Sequence, residues 1–155
     1  MHRRTALCLA CAVALSPLLV GADAKPSSKL EEFKGKVVPL ADLVARTGSK
    51  LDADAAATSL VLVAEDGKVY TLIKDGGARL FFKDKALLNR PMRLTGRLLP
   101  GSQVLLVTGV NSYVKGQLCE VYYWCGICSI KRGEKEAMCE CCGGPMELKE
   151  EPLKK

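Results

Sequence analysis

Apolar and polar residues alternate along most of this chain with the period of short strands. Gly35–Pro39 reads as a first strand, ended by its proline. Leu40, Leu43 and Val44 then recur at helical spacing over Leu40–Thr47, and Gly48 supplies a stop. Residues 49–57, with Asp52, Asp54 and several alanines, read as a loop in which the aspartates serve turn chemistry. A hairpin follows. Leu60–Ala64 is strand-like, Asp66-Gly67 is a favoured two-residue turn, and Lys68–Ile73 returns. Glu65 and Lys68 flank that turn with opposite charges, which favours the register.

The second half keeps the pattern. Asp75-Gly76-Gly77 is a turn, Arg79–Phe82 a short apolar segment, and Asp84–Asn89 one or two helical turns that stop before Pro91. Over Met92–Leu99, the apolar Met92, Leu94 and Leu98 face away from Arg93, Thr95 and Arg97. Pro100-Gly101-Ser102 turns the chain into Gln103–Val110, the last core strand, and Glu120–Trp124 forms a further one. Strand, strand, strand, short helix, strand, strand is the order of an OB-fold. The expected class is therefore mainly β: an OB-like five-stranded barrel with short helices. Gly96 would allow the bend such a barrel needs. A sandwich of the same strands also fits, because periodicity carries no strand order.

Composition changes this picture at the two ends. Residues 1–24 have the form of a signal peptide: His2, Arg3 and Arg4, an apolar run from Ala6 to Val20, and Ala22-Asp23-Ala24 as a small-x-small cleavage site. Cleavage before Lys25 would export the protein to the periplasm or the extracellular space. It would also remove Cys8, Cys11 and His2, the only histidine. A mature chain without histidine has no Ser-His-Asp or Cys-His mechanism and no imidazole metal ligand, so the expectation is a protein that is not an enzyme. Residues 25–34 read as a flexible leader, 35–118 as the barrel, and 149–155 as a charged C-terminus.

The remaining six cysteines all lie in residues 119–148. Cys125 and Cys128 form one C-x-x-C, and Cys139 and Cys142 a second, across a ten-residue charged loop. Two such pairs are the pattern of a four-thiolate zinc site in a zinc-ribbon-like knuckle, with Cys141 as a substitute ligand for Cys139 or Cys142. Gly143 suits the tight turn such a knuckle needs. A closed site of this kind makes Zn2+ a structural cofactor, since four thiolates leave no position for water. Three disulfides are the alternative in an exported protein, and Cys119 is either a spectator or a partner for Cys141. Trp124-Cys125-Gly126-Ile127-Cys128 echoes the thioredoxin Trp-Cys-Gly-Pro-Cys, but it lacks the proline and the βαβ chain that should follow.

Charge adds little. Subtracting Arg3, Arg4 and Asp23 with the signal leaves 21 basic and 16 acidic residues, a surplus of five. Arg79, Lys83, Arg90, Arg93 and Arg97 could form a basic face, and Tyr122, Tyr123 and Trp124 could stack on bases. Single-stranded nucleic acid is thus one conceivable partner, although packing of the aromatic residues against the barrel is the plainer reading. Lys131, Arg132, Glu134, Lys135 and Glu136 read as a solvated loop.

Tyr123-Trp124-Cys125-x-x-Cys128-x-Ile130 followed by Cys139-x-Cys141-Cys142-x-x-Pro145 resembles small exported bacterial proteins of unassigned function. Gly67–Tyr70, Asn89–Pro91 and Leu94–Leu98 share the likeness, which covers most of residues 35–148. The resemblance implies the same architecture, a barrel-like segment followed by the cysteine cluster, and it brings no activity with it. Cys119 lies outside the shared motif. These readings together predict an exported, non-enzymatic protein that binds or assembles with an envelope or extracellular partner. A thiol-active protein, carrying soft metal or exchanging disulfides through the same cysteines, is the alternative.

Overall fold

The computed structural model describes residues 29–154. The stretch read as a signal peptide and the first residues of the expected leader lie outside them. Among the described residues, no helix is long and apolar enough to cross a membrane.

Five strands close into a ring. They are β1 (Glu31–Pro39), β2 (Leu60–Ala64), β3 (Val69–Leu72), β4 (Pro91–Leu98) and β5 (Val104–Val114). β1 serves two neighbours. Its first half pairs antiparallel with β4, Phe33 opposite Leu94, and its second half with β2, Val37 opposite Leu62. β2 continues to β3 through the Asp66-Gly67 turn. The ring shuts where β3 runs parallel to β5, Thr71 opposite Val104 and Leu72 opposite Leu105. The order β1-β2-β3-β5-β4 is the OB-like arrangement expected from the strand sequence. At the turn, Lys68 pairs with Asp66 at 2.9 Å rather than with Glu65, whose amide instead donates to the Lys34 carbonyl.

The register break between β4 and β5 falls at a glycine. β4 and β5 slip register between Thr95 and Gly96, leaving Thr108 as an extra residue on β5. A side chain at Gly96 would run into the carbonyl of Leu106, so the strands approach this closely only without a Cβ.

Three short helices fill the connections. α1 (Leu40–Ala45) and α2 (Ala53–Thr58) lie between β1 and β2. α2 occupies the stretch expected to be a loop. Its alanine-rich sequence has high helix propensity, and the helix buries no residue, so no apolar periodicity announces it. α3 (Arg79–Lys83), with a 3-10 turn at Lys85–Leu87, lies between β3 and β4 and sends Leu80, Phe81 and Leu87 into the ring. These meet Val37, Leu62, Tyr70, Leu72, Met92, Leu94 and Leu105 in one core.

The sheet continues past the ring. β5 runs on to Val114 and turns at Lys115-Gly116, both at positive φ, into β6 (Gln117–Cys125). β6 in turn pairs with β7 (Ile130–Arg132) on one side and with β8 (Glu147–Pro152) on the other. The cysteine-rich segment therefore shares one continuous sheet with the ring, and the hairpin of β5 and β6 spans the boundary placed at residue 118. The charged C-terminus of the sequence reading is largely the strand β8, whose acidic and basic side chains suit an exposed edge.

The leader also ends earlier than the polar sequence suggests. β1 begins at Glu31, and Phe33 is buried edge-on against Tyr70, with ring centroids 5.0 Å apart. Phe33→Ala should cost about 3 kcal/mol of stability. Urea denaturation measures it, and a loss near zero would mean that residues 31–34 do not belong to the folded unit.

Candidate metal centre

β6 positions the centre. Along a strand, alternate side chains share a face. Cys119, Val121, Tyr123 and Cys125 lie on the inner one, and Cys125 is completely buried at its far end. Tyr123 is 1% exposed and packs in the core of the ring, while its hydroxyl donates to Asp84 Oδ2 at 2.8 Å. Tyr123 therefore ties the cysteine segment to the ring, as the plainer reading of the aromatic residues expects. Tyr122, on the opposite face, is covered by the ammonium group of Lys131, 4.2 Å from its ring centroid.

Two tight turns deliver the other sulfurs. The first runs from Cys125 to Cys128 and is followed by Ser129 at φ 54°. The second runs from Cys139 to Cys142 and is followed by Gly143 at φ 70°. Each C-x-x-C thus hands over to a left-handed residue that folds the chain back. In the second turn, Gly143 donates its amide to the Cys139 carbonyl at 2.8 Å, and Gly144 donates to the Cys142 sulfur at 3.4 Å. Gly143 thus makes the tight turn that the sequence assigns to it, and the amide that reaches the Cys142 sulfur is that of Gly144.

The sulfurs of Cys125, Cys128, Cys139 and Cys142 all lie within 4.8 Å of one another, and those of Cys125 and Cys142 are 3.5 Å apart. A metal bound by four thiolates at about 2.3 Å sets the sulfurs about 3.8 Å from each other, so the set can hold a metal ion. All six cysteines among the described residues are free thiols. Amides of Cys142 and Cys141 point at the Cys139 sulfur and lower its pKa to about 7. Cys128 is pushed the other way, chiefly because it shares its proton with Cys142 and Cys141. Sulfurs this close cannot all carry negative charge without a cation among them.

The other two cysteines separate. Cys119 is buried in the β5–β6 hairpin opposite Ser112, and its thiol donates to the Gln117 carbonyl at 3.6 Å. It stands outside the four-sulfur group. Cys141, the substitute ligand of the sequence reading, is exposed and also stands outside that group.

The charged loop is clamped, not merely solvated. Lys83 of α3 pairs with Glu136 at 2.9 Å and with Glu134 at 3.1 Å, and Arg79 reaches Glu134 at 3.6 Å. Lys135 approaches Asp84 at 3.5 Å. Part of the prospective basic face is taken up in the same way, Arg90 pairing with Glu150 at 2.6 Å and Arg93 with Glu32 at 3.2 Å, while Arg97 makes no ion pair among the described residues. Sequence spacing carries no sign of these pairings, because each joins residues that only the fold brings together.

No protein-family model matches the chain, and no curated protein or solved structure is significantly similar to it.

Asp84 is the joint between ring and loop. Burial pushes its carboxyl up, but the Ala86 amide, the Tyr123 hydroxyl and Lys135 together outweigh burial and hold it below its ordinary value. A depressed folded pKa gives stability that is present at neutral pH and lost as pH falls through that pKa. Asp84→Asn should therefore cost about 1–3 kcal/mol near pH 7. The deficit should shrink below the ordinary carboxylate range, as read by denaturation at several pH values with chelator present throughout. A deficit independent of pH would rule out the ionised Asp84 as the joint.

Proposed function

We propose that this protein is exported and does not act as an enzyme, and that its four-cysteine centre is a structural zinc site. The barrel-like ring would bind or assemble with a partner in the envelope or outside the cell. The observation that carries this reading is the convergence of four sulfurs from two turns, with one of them fixed to a strand buried against the ring.

Zinc suits the donor set. It accepts four thiolates in a tetrahedron and has no need of the imidazole that the mature chain lacks. When bound, it would neutralise thiolate charge and fix the segment between β6 and β8, which has little apolar core of its own. Cys125 and Cys139 would hold it from the buried side, Cys128 and Cys142 from the outer side. With every position filled by sulfur, the ion would have no site for substrate.

The thiol-active reading keeps one observation in its favour, the exposure of Cys141 and Cys142 at the edge of the cluster. Single-stranded nucleic acid has no comparable support, because Arg79, Lys83, Arg90 and Arg93 face carboxylates.

The signal-free protein, purified under reducing conditions, should carry one zinc per chain by elemental analysis. Denaturation with chelator should release the zinc and make all six thiols titratable. Cys139→Ser should lose the metal and lower the melting temperature. A protein with neither metal nor titratable thiols would overturn the reading in favour of disulfides, and catalysed reduction of insulin would overturn it in favour of thiol exchange.

A further inference from the structure

A cleft of about 460 Å³ is lined by β1, β2 and α1, on the side of the ring away from its core. Strand alternation places it there. Val37 points into the core, so Lys36 and Val38 point outward. Lys36 stands opposite Val63 of β2 and Pro91 of β4, and the three share that outer face. Leu43 of α1 borders the same space, yet no residue of α1 is fully buried. The apolar side of this helix is therefore only partly covered, and Val38, Leu43 and Val63 give the cleft hydrocarbon walls.

Three polar side chains line this apolar space. Lys36 comes from β1, Arg46 caps the C-terminal end of α1, and Asn89 belongs to the connection before β4. Asn89 sits at φ 60°, and its amide donates to the Val37 carbonyl at 2.8 Å, which fixes it beside β1. Neither Lys36 nor Arg46 makes an ion pair among the described residues, whereas Lys83, Arg90, Arg93 and Lys135 all do. One carboxylate, that of Glu65, stands at the cleft. Two cations against one acid leave a surplus of positive charge beside hydrocarbon. We propose that the cleft binds a small, singly charged carboxylic acid with an apolar tail, of the medium-chain fatty-acid class. The planar fork of Arg46 and the ammonium group of Lys36 hold the carboxylate, with the Asn89 amide as a further donor. The tail lies along Val38, Leu43 and Val63.

Size and charge set the class. The volume falls within the range of small-molecule sites, about 300–1,000 Å³. An inorganic anion would leave the hydrocarbon walls uncovered, and Glu65 would repel a second negative charge on the ligand. The cleft shares no residue with the four-sulfur centre, so the inference does not depend on which metal that centre holds.

The test titrates octanoate into the signal-free chain, read by calorimetry and by amide shifts in NMR spectra. Binding should saturate at one octanoate per chain, with the shifts grouped around Lys36, Leu43, Arg46 and Val63. Octanol, which has the tail without the charge, should bind several-fold more weakly. Octanedioate should also bind more weakly, and Glu65→Gln should narrow that gap. Lys36→Gln and Arg46→Gln remove exposed side chains, so each should weaken octanoate several-fold at an unchanged melting temperature. Arg46→Lys should restore part of the loss. Absence of saturable binding, equal affinity for octanol, or full affinity in the double variant Lys36→Gln with Arg46→Gln would overturn the proposal. Tighter binding of an apolar peptide through its free C-terminal carboxylate would overturn the small-molecule assignment. Metal content, measured on the same samples, keeps any such failure distinct from failure of the zinc reading.

Discussion

The hydrogen bond from Tyr123 to Asp84 joins the two parts of this molecule. Both groups are buried, and the Tyr123 hydroxyl would be left without this partner if Asp84 moved. An unpaired buried polar group costs about 1–3 kcal/mol, so the bond penalises any slip of β6 against the ring. A slip of one residue would also turn Cys119, Val121 and Cys125 to the wrong face. The register of β6 therefore fixes Tyr123 in the core and, two residues on, the first sulfur of the cluster. Burial of the tyrosine and its bond to Asp84 push its hydroxyl pKa well above the ordinary value, so it remains a donor at any physiological pH.

From that anchored sulfur the rest of the centre follows by local geometry. Each C-x-x-C is short enough to aim both of its sulfurs at one point, and each ends in a residue at positive φ. Glycine takes that conformation freely at 143, while Ser129 accepts it at some cost. Amide groups directed at Cys139 favour its thiolate, and the crowding around Cys128 opposes a second charge. A cation at the centre would reconcile these opposed tendencies, which would couple metal binding to the ordering of this segment.

Much of the architecture was legible because strands announce themselves by alternation. Met92, Leu94 and Leu98 against Arg93, Thr95 and Arg97 marked β4, and Asp66-Gly67 marked the hairpin. The spacing of four cysteines named the sulfurs that converge. What escaped notice lacked an apolar signal. β8 is charged because it lies at an edge, α2 buries nothing, and the start of β1 shows only one aromatic among polar residues. Ring closure between β3 and β5 was implied by the order of elements alone, since pairing between distant segments leaves no local trace.

The clamp between α3 and the loop before Cys139 is made of charge, not of packed hydrocarbon. Lys83, with its ammonium pKa raised chiefly by Glu136 and then by Glu134, is half exposed, as are its partners. Such contacts are individually weak and fade as ionic strength rises, the Debye length falling to about 8 Å at physiological salt. The hydrophobic ring does not share that sensitivity. The surrounding electrolyte thus sets how firmly the loop is held down, leaving the ring itself untouched.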